Sequence, residues 1–321
     1  MPVTADPRSS AAPSPEATGS ACVFVVGMHR SGTSAATEVL ARLGLHPPEP
    51  GDRFETTQWN ERGNWESRSL TSFNKRLLER LGGSWSVPPE LDPDWEAHDA
   101  LADDRAEGAR IFAGAYPRRP LAWKDPQLCL VLPFWRRVVP GPHAALLVYR
   151  DPLEVAGSLS ARNGLPELHG LALWERYVRA ACTSLHGVPT LACDSRQLVE
   201  DPSAWGGRLQ EFVSSIGVIA PHVTSDGALG SLDPHLRHQR PPAAGRAGPA
   251  RDARTLFDAL RVLDGIHHRW QAPDLGAEPP WVAEVLGLCR ETQRTRRALR
   301  AARSSRAYRL AGWLRRAGER P

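Results

Sequence analysis

The junction at residues 23–34 narrows the possible folds more than any other part of this chain. Val23-Phe24-Val25-Val26 is a short unbroken apolar run that ends at Gly27, the pattern of a strand buried on both faces. Gly27-Met28-His29-Arg30-Ser31-Gly32-Thr33-Ser34 follows, after which Val39, Leu40 and Leu43 are apolar in a helical pattern with Gly44 as the stop. A strand, a glycine-bearing turn and a helix in that order bring backbone N–H groups and a helix N-terminus to one point, where an anion can be held. A plain connecting turn with two glycines would read the same way, so the rest of the chain has to decide.

Three more strands are expected at Pro120–Trp123, Ala144–Tyr149 and Thr190–Cys193, each followed by a helix, at Leu130–Val139, Leu153–Ala161 and Ala204–Ile216. Leu171–Leu185 supplies one more helix. Strands alternating with helices predict the α/β class, a P-loop-type parallel sheet flanked by helices. Residues 1–20, rich in Pro, Ala, Ser and Thr, read as a disordered leader, and the sheet domain as residues 21–240. Within it, residues 46–116 form a long insertion carrying Trp59, Trp65, Trp85 and Trp95, expected to be a lid or an acceptor surface. Residues 241–254, with Pro241-Pro242-Ala243-Ala244-Gly245, read as a linker, and 255–321 as a helical basic C-terminal extension.

Composition excludes several classes. Hydrophobic residues make up 41% and charged residues 24% of 321, which fits a globular chain and neither a membrane nor a wholly disordered one. Met1–Ser20 has no apolar stretch behind a basic start, so no secretory signal is expected. The five cysteines are scattered without Cys-x-x-Cys spacing and predict reduced thiols in a cytoplasmic protein, with no disulfide frame or zinc site. From Arg290 onward eleven arginines stand against Glu291 and Glu319, a net +9 on a chain whose total is +4, so the remainder carries −5. A body of that charge is no nucleic-acid binder, and an anion site in it must be local. Of 40 basic side chains only Lys75 and Lys124 are lysine, so a compact ammonium marks a position worth following.

The turn has the spacing of the Walker A loop, Gly-x-x-x-x-Gly-Lys-Ser/Thr, with Thr33 in place of the lysine. Transfer of a γ-phosphoryl group loses its main protein cation by that change. Arg30 offers another cation inside the loop, with a planar fork suited to phosphate or sulfate oxygens. Two further segments stand at strand ends, where open α/β sheets bind ligands. Arg150, with Ser158 about two helical turns on, can hold a second phosphate, and Lys124 in Trp123-Lys124-Asp125-Pro126 faces the same crevice. Each has a plainer alternative: an ion pair of Arg150 with Asp151 or a neighbouring carboxylate, and one of Lys124 with Asp125.

A lysine-free loop of the form GMHRSGTS, a downstream Lys-Asp-Pro, and an arginine with serine eight residues later resemble the sulfotransferases that use 3′-phosphoadenosine 5′-phosphosulfate (PAPS), above all bacterial members and more remotely the tyrosylprotein sulfotransferases. The resemblance spans about Val23 to Arg240. It implies that Met28, His29, Arg30, Ser31, Gly32, Thr33 and Ser34 cradle the 5′-phosphosulfate, that Arg150 and Ser158 hold the 3′-phosphate, and that Lys124 acts on the leaving oxygen. A sulfuryl group bears one charge fewer than a phosphoryl group, so the missing lysine is accounted for and no metal is expected.

In-line sulfuryl transfer needs a base for the acceptor hydroxyl and positive charge on the departing oxygen. Arg30 and Lys124 are the candidate cations. Asn60-x-x-Gly63-x-Trp65-Glu66 is similar to a segment of the bacterial group and makes Glu66 the first candidate base, with Trp65 expected to shield it; His29 is the second. Asp125 is expected to orient Lys124. In Leu232–Arg240, Arg237 and Arg240 are candidates for the 3′-phosphate or adenine side. Arg294–Arg316 reads as a basic helix able to lie on an anionic membrane surface or a partner, and Ala302–Leu310 is similar to a short segment near the ends of bacterial surface-polysaccharide enzymes, which points the acceptor toward a glycan or glycolipid, a metabolite being the other choice. The competing readings are a P-loop kinase and a non-catalytic homologue that only holds nucleotide.

Overall fold

Strand β1 (Cys22–Val26) has no exposed residue because its two faces feed two different cores. Cys22, Phe24 and Val26 point into one, Val23 and Val25 into the other. That division follows from the period of two along a strand. The structure, a computed structural model, describes residues 20–54, 64–219, 248–274 and 276–304.

Around β1 stands a five-stranded sheet of order β4-β1-β5-β6-β7, with β4 (Leu121–Lys124), β5 (His143–Tyr149), β6 (Thr190–Asp194) and β7 (Gly265–His267). The first four strands of that order are parallel: Phe24 pairs with Trp123 on one side and Ala145 on the other, and Tyr149 pairs with Asp194. Only β7 runs antiparallel, against β6. The chain passes from β1 to β4 on one flank and then to β5 on the other. The carboxyl ends of β1, β4 and β5 therefore lie side by side on one edge of the sheet, where open α/β sheets bind ligands.

Helices α1 (Thr33–Arg42) and, from the later part of the chain, Pro202–Ser215 cover one face through Val39, Leu40, Trp205, Leu209 and Phe212. The other face is larger. The insertion contributes a short hairpin of β2 (Arg53–Phe54) and β3 (Asn64–Ser67), then α2 (Arg68–Arg80) and α3 (Ala102–Ala115). After β4 come α4 (Leu128–Val138), α5 (Pro152–Asn163) and α6 (Glu167–Ser184). Phe73, Phe112, Trp123 and Trp135 pack ring against ring, with Trp123 and Trp135 edge to face at 4.7 Å. Much of the insertion is thus part of the core: its Leu70, Phe73, Leu77, Leu78, Leu101 and Phe112 are buried together with Trp123 and Trp135.

Two short helices follow β6, α7 (Gln197–Glu200) and α8, the Pro202–Ser215 helix already described. The expected linker and separate extension need correction. Helix α9 (Pro249–Val262) starts inside the span read as linker, and its Ala253, Leu256, Phe257 and Leu260 are buried in the main core. Strand β7 then completes the sheet. Residues 249–267 belong to the α/β domain because their apolar spacing closes its face, and the helical C-terminal region is α10 (Pro280–Ser304). The leader to residue 19, Trp59–Gly63, Leu232–Arg240 and the tail from 305 lie outside the described residues. No described helix is long and apolar enough to cross a membrane.

Candidate active site

The turn after β1 needs both of its glycines. A Cβ on Gly27 would lie 2.3 Å from the carbonyl oxygen of Val148, so only glycine lets β1 and β5 approach there. Gly32 has φ 86°, left-handed backbone that favours glycine, and Arg30 adopts φ 72° without that freedom. Strain of this kind in a non-glycine residue is retained where surrounding structure holds it. Gly32 is the N-cap of α1 and gives no side-chain cap, and the first turn carries no acidic residue. The leading N–H groups of α1 thus lack the usual side-chain acceptor.

Four cationic side chains converge around this turn. Arg30 donates from Nε to Ser158 Oγ at 2.9 Å, and Arg150 donates from Nη1 to the Arg30 carbonyl at 3.0 Å. Arg150 also pairs with Glu154, 2.7 Å away and 1% exposed. Lys124, at the end of β4 and 4% exposed, donates from Nζ to Ser34 Oγ at 3.0 Å and is ion-paired with Glu66 Oε1. The charge of Arg162, one turn beyond Ser158, also reaches the turn: burial, then Arg162 and Arg150, lower the pKa of Arg30. The local field is positive, and an arriving anion relieves it.

The orphaned atoms tell the same story. Among the described residues, Ser31 Oγ and His29 Nε2 are buried with no hydrogen-bond partner, as is Glu66 Oε2. A buried polar atom left unpaired costs about 1–3 kcal/mol, so the two in the turn, with Glu66 beside Lys124, mark a place that fits a polar ligand. An anionic phosphosulfate group suits the cations and hydroxyls present.

Several sequence expectations change. Met28 keeps its side chain in the main core, leaving only backbone to the turn, where its carbonyl accepts from Ser31 N at 3.1 Å. Ser158 is bound to Arg30 rather than Arg150. Thr33 is buried, and its carbonyl accepts from Thr37 Oγ1. Asp125 does not orient Lys124 by a hydrogen bond. It accepts from Thr71 Oγ1, Asn74 Nδ2 and Gln127 N, fastening α2 to the β4–α4 turn, and burial pushes its carboxyl pKa up. Trp65 does not wall Glu66, since neighbours on a strand face opposite ways; it lies under the Arg53 guanidinium instead. His29 sits against Trp85 and Tyr177, and burial, reinforced by Lys124, Arg162 and Arg30, holds its imidazole down to about 3. It is a neutral ring at pH 7 and a poor base. Arg237 and Arg240 lie outside the described residues.

Glu154 and Arg162 were not singled out by sequence. The available signal was their spacing: Glu154, Ser158 and Arg162 recur every four residues on α5 and so share one stripe. Among the described residues, no three His, Cys, Asp or Glu side chains gather as a metal-holding group.

Neither a known protein-family description nor a curated protein matches the chain. Solved structures similar to it include the sulfotransferase domain of an olefin synthase from Synechococcus, 18% identical with a TM-score of 0.39 over 75% of this chain and 95% of that one. The sulfotransferase domain from the curacin biosynthetic pathway is 14% identical with a TM-score of 0.39, over 84% and 97%. A sulfotransferase from Mycobacterium avium is 12% identical with a TM-score of 0.40, over 78% of each. Likeness at this level assigns neither a residue nor a reaction.

Proposed function

We propose that this chain is a sulfotransferase that moves a sulfuryl group from PAPS to an acceptor hydroxyl. The observation that carries the reading is the meeting, at one edge of the sheet, of a lysine-free glycine turn with Lys124 from the end of β4 and Arg150 from the end of β5. PAPS, when bound, supplies an activated sulfuryl group.

The residues divide the work by position. The turn from His29 to Ser34 and the open N-terminus of α1 receive the 5′-phosphosulfate. Arg150 and Ser158, with Arg30 between them, receive the 3′-phosphate. Lys124 has three ammonium protons, two of which go to Ser34 and Glu66, leaving one to meet the bridging oxygen as it becomes negative. Glu66 takes the hydroxyl proton on Oε2, the oxygen without a partner. The acceptor oxygen then bonds to sulfur while the bond from sulfur to the nucleotide phosphate breaks, and adenosine 3′,5′-bisphosphate leaves.

The acceptor is a hydroxyl on a glycan, a glycolipid or another metabolite, a reading supported by the likeness of the tail to surface-polysaccharide enzymes. The test is to incubate the protein with labelled PAPS and small-molecule and glycan extracts, and to seek by mass spectrometry a product that has gained a sulfate. Nucleotide binding with no label transferred to any acceptor would favour a non-catalytic homologue.

A further inference from the structure

Helix α10 begins packed and ends exposed. Val282 and Leu286 are buried in the main core, with Trp281 and Val285 beside them. One turn on, Arg290 pairs with Glu90 at 2.7 Å and donates to the Pro88 carbonyl at 3.1 Å, while Gln293 Nε2 reaches Ser86 Oγ at 3.3 Å. The segment so gripped is itself held to α6, since Tyr177 donates to the Trp85 carbonyl at 2.7 Å. The helix is therefore fixed to the body up to Gln293, and its direction is set.

From Arg294 to Ala302 every residue is exposed. At 1.5 Å per residue that is roughly 13 Å of helix clear of the body. It is not uniformly polar. Leu288 and Leu299 are 65% and 50% exposed, and at about 100° per residue their separation of eleven positions puts them on one face. By the same rotation Thr292 and Thr295 fall between them on that face, Arg296 borders it on one side, and Arg294, Arg297 and Arg300 occupy the rest of the helix surface. A face of two leucines and two threonines, with arginines around the rest of the helix, is the form of a helix that lies in a lipid interface. The net +9 from Arg290 onward against −5 elsewhere adds a direction: an anionic surface attracts this end and repels the rest. A nucleic acid matches the charge but offers nothing to Leu288 and Leu299.

We propose that α10, from Leu288 onward, docks the protein on an anionic phospholipid surface, with Leu288 and Leu299 turned to the boundary of headgroups and acyl chains and the arginines on lipid phosphates. The inference is independent of the reaction catalysed. The test uses the full chain sedimented with vesicles of phosphatidylcholine alone or mixed equally with phosphatidylserine. Binding is expected only to the mixed vesicles, weakening as salt is raised. The exposed variant R294Q/R296Q/R297Q/R300Q, checked by thermal melting for an unchanged fold, should bind roughly 1,000-fold more weakly, given the contribution per arginine near such a surface. Leu299→Gln should weaken binding while keeping its salt dependence. Absence of binding, equal binding to both vesicles, undiminished binding by the arginine variant, or preference for duplex DNA over mixed vesicles would each overturn the proposal.

Discussion

Lys124 is ion-paired with one carboxylate oxygen of Glu66 and leaves the other, Oε2, buried without a partner among the described residues. The contact joins β4 to the hairpin of the insertion and puts a candidate electrophile and a candidate base side by side. Under the proposed reaction, Glu66→Gln preserves shape but accepts no proton. It should lower sulfation by about 100-fold or more while leaving affinity for adenosine 3′,5′-bisphosphate nearly unchanged. A pH–rate profile checks the assignment: the acidic limb of the wild type should vanish in the variant. Retention of both rate and limb would place the base elsewhere.

Replacement of the two cations should separate chemistry from binding. Lys124→Ala lowers kcat far more than it raises KM for PAPS, because the ammonium matters most when the leaving oxygen gains charge. Arg150→Ala does the reverse. Removal of Lys124 also strands Glu66 in a nearly enclosed site, where breaking an ion pair costs about 3–5 kcal/mol. The double variant Lys124→Ala/Glu66→Gln should therefore regain melting temperature over Lys124→Ala and regain no rate.

Gly27→Ala tests the geometry of the turn. The added methyl meets the Val148 carbonyl at 2.3 Å, so backbone must move at the point where β1, β5 and the proposed anion site meet. Loss of about 1–3 kcal/mol of stability is expected, with loss of protection by nucleotide. An unchanged denaturation midpoint would show that β1 and β5 are not so closely apposed.

His29 gives a pH dependence of known sign. Its imidazole ionises near 6.5 when unfolded and is held to about 3 in the native turn. Below pH 6.5 the unfolded chain takes up a proton that the native protein refuses, so stability falls as pH drops toward 3, by up to about 1.4 kcal/mol per pH unit. His143 and His169 are also lowered by burial, so the comparison is with His29→Gln. Between pH 7 and 5 the variant should lose less melting temperature than the wild type; parallel curves would mean that His29 is exposed.

What could be read in advance follows the range of the forces involved. β1, β4, β5 and β6 are local apolar runs, and each was legible within about two residues. The two-residue β2 and three-residue β7 carry no such pattern and exist only because Ser67 and Ala192 offer partners across the sheet. Both members of the Lys124–Glu66 pair stood out by residue type, yet 58 positions separate them and no local rule joins them. Met28 illustrates the reverse: membership of a motif placed it at the ligand, while its apolar side chain turned into the core. Asp125 next to Lys124 likewise implied a contact that the strand end does not make.

The most direct test of the central claim is titration calorimetry of the full chain with adenosine 3′,5′-bisphosphate and, separately, with ATP in the presence of Mg²⁺. The two anion-receiving sets proposed above, one at the turn after β1 and one at Arg150 and Ser158, predict tight binding of the bisphosphate and much weaker binding of ATP, with Arg150→Ala abolishing most of the difference. Equal or tighter binding of ATP, strengthened by Mg²⁺, would contradict the account and favour a kinase.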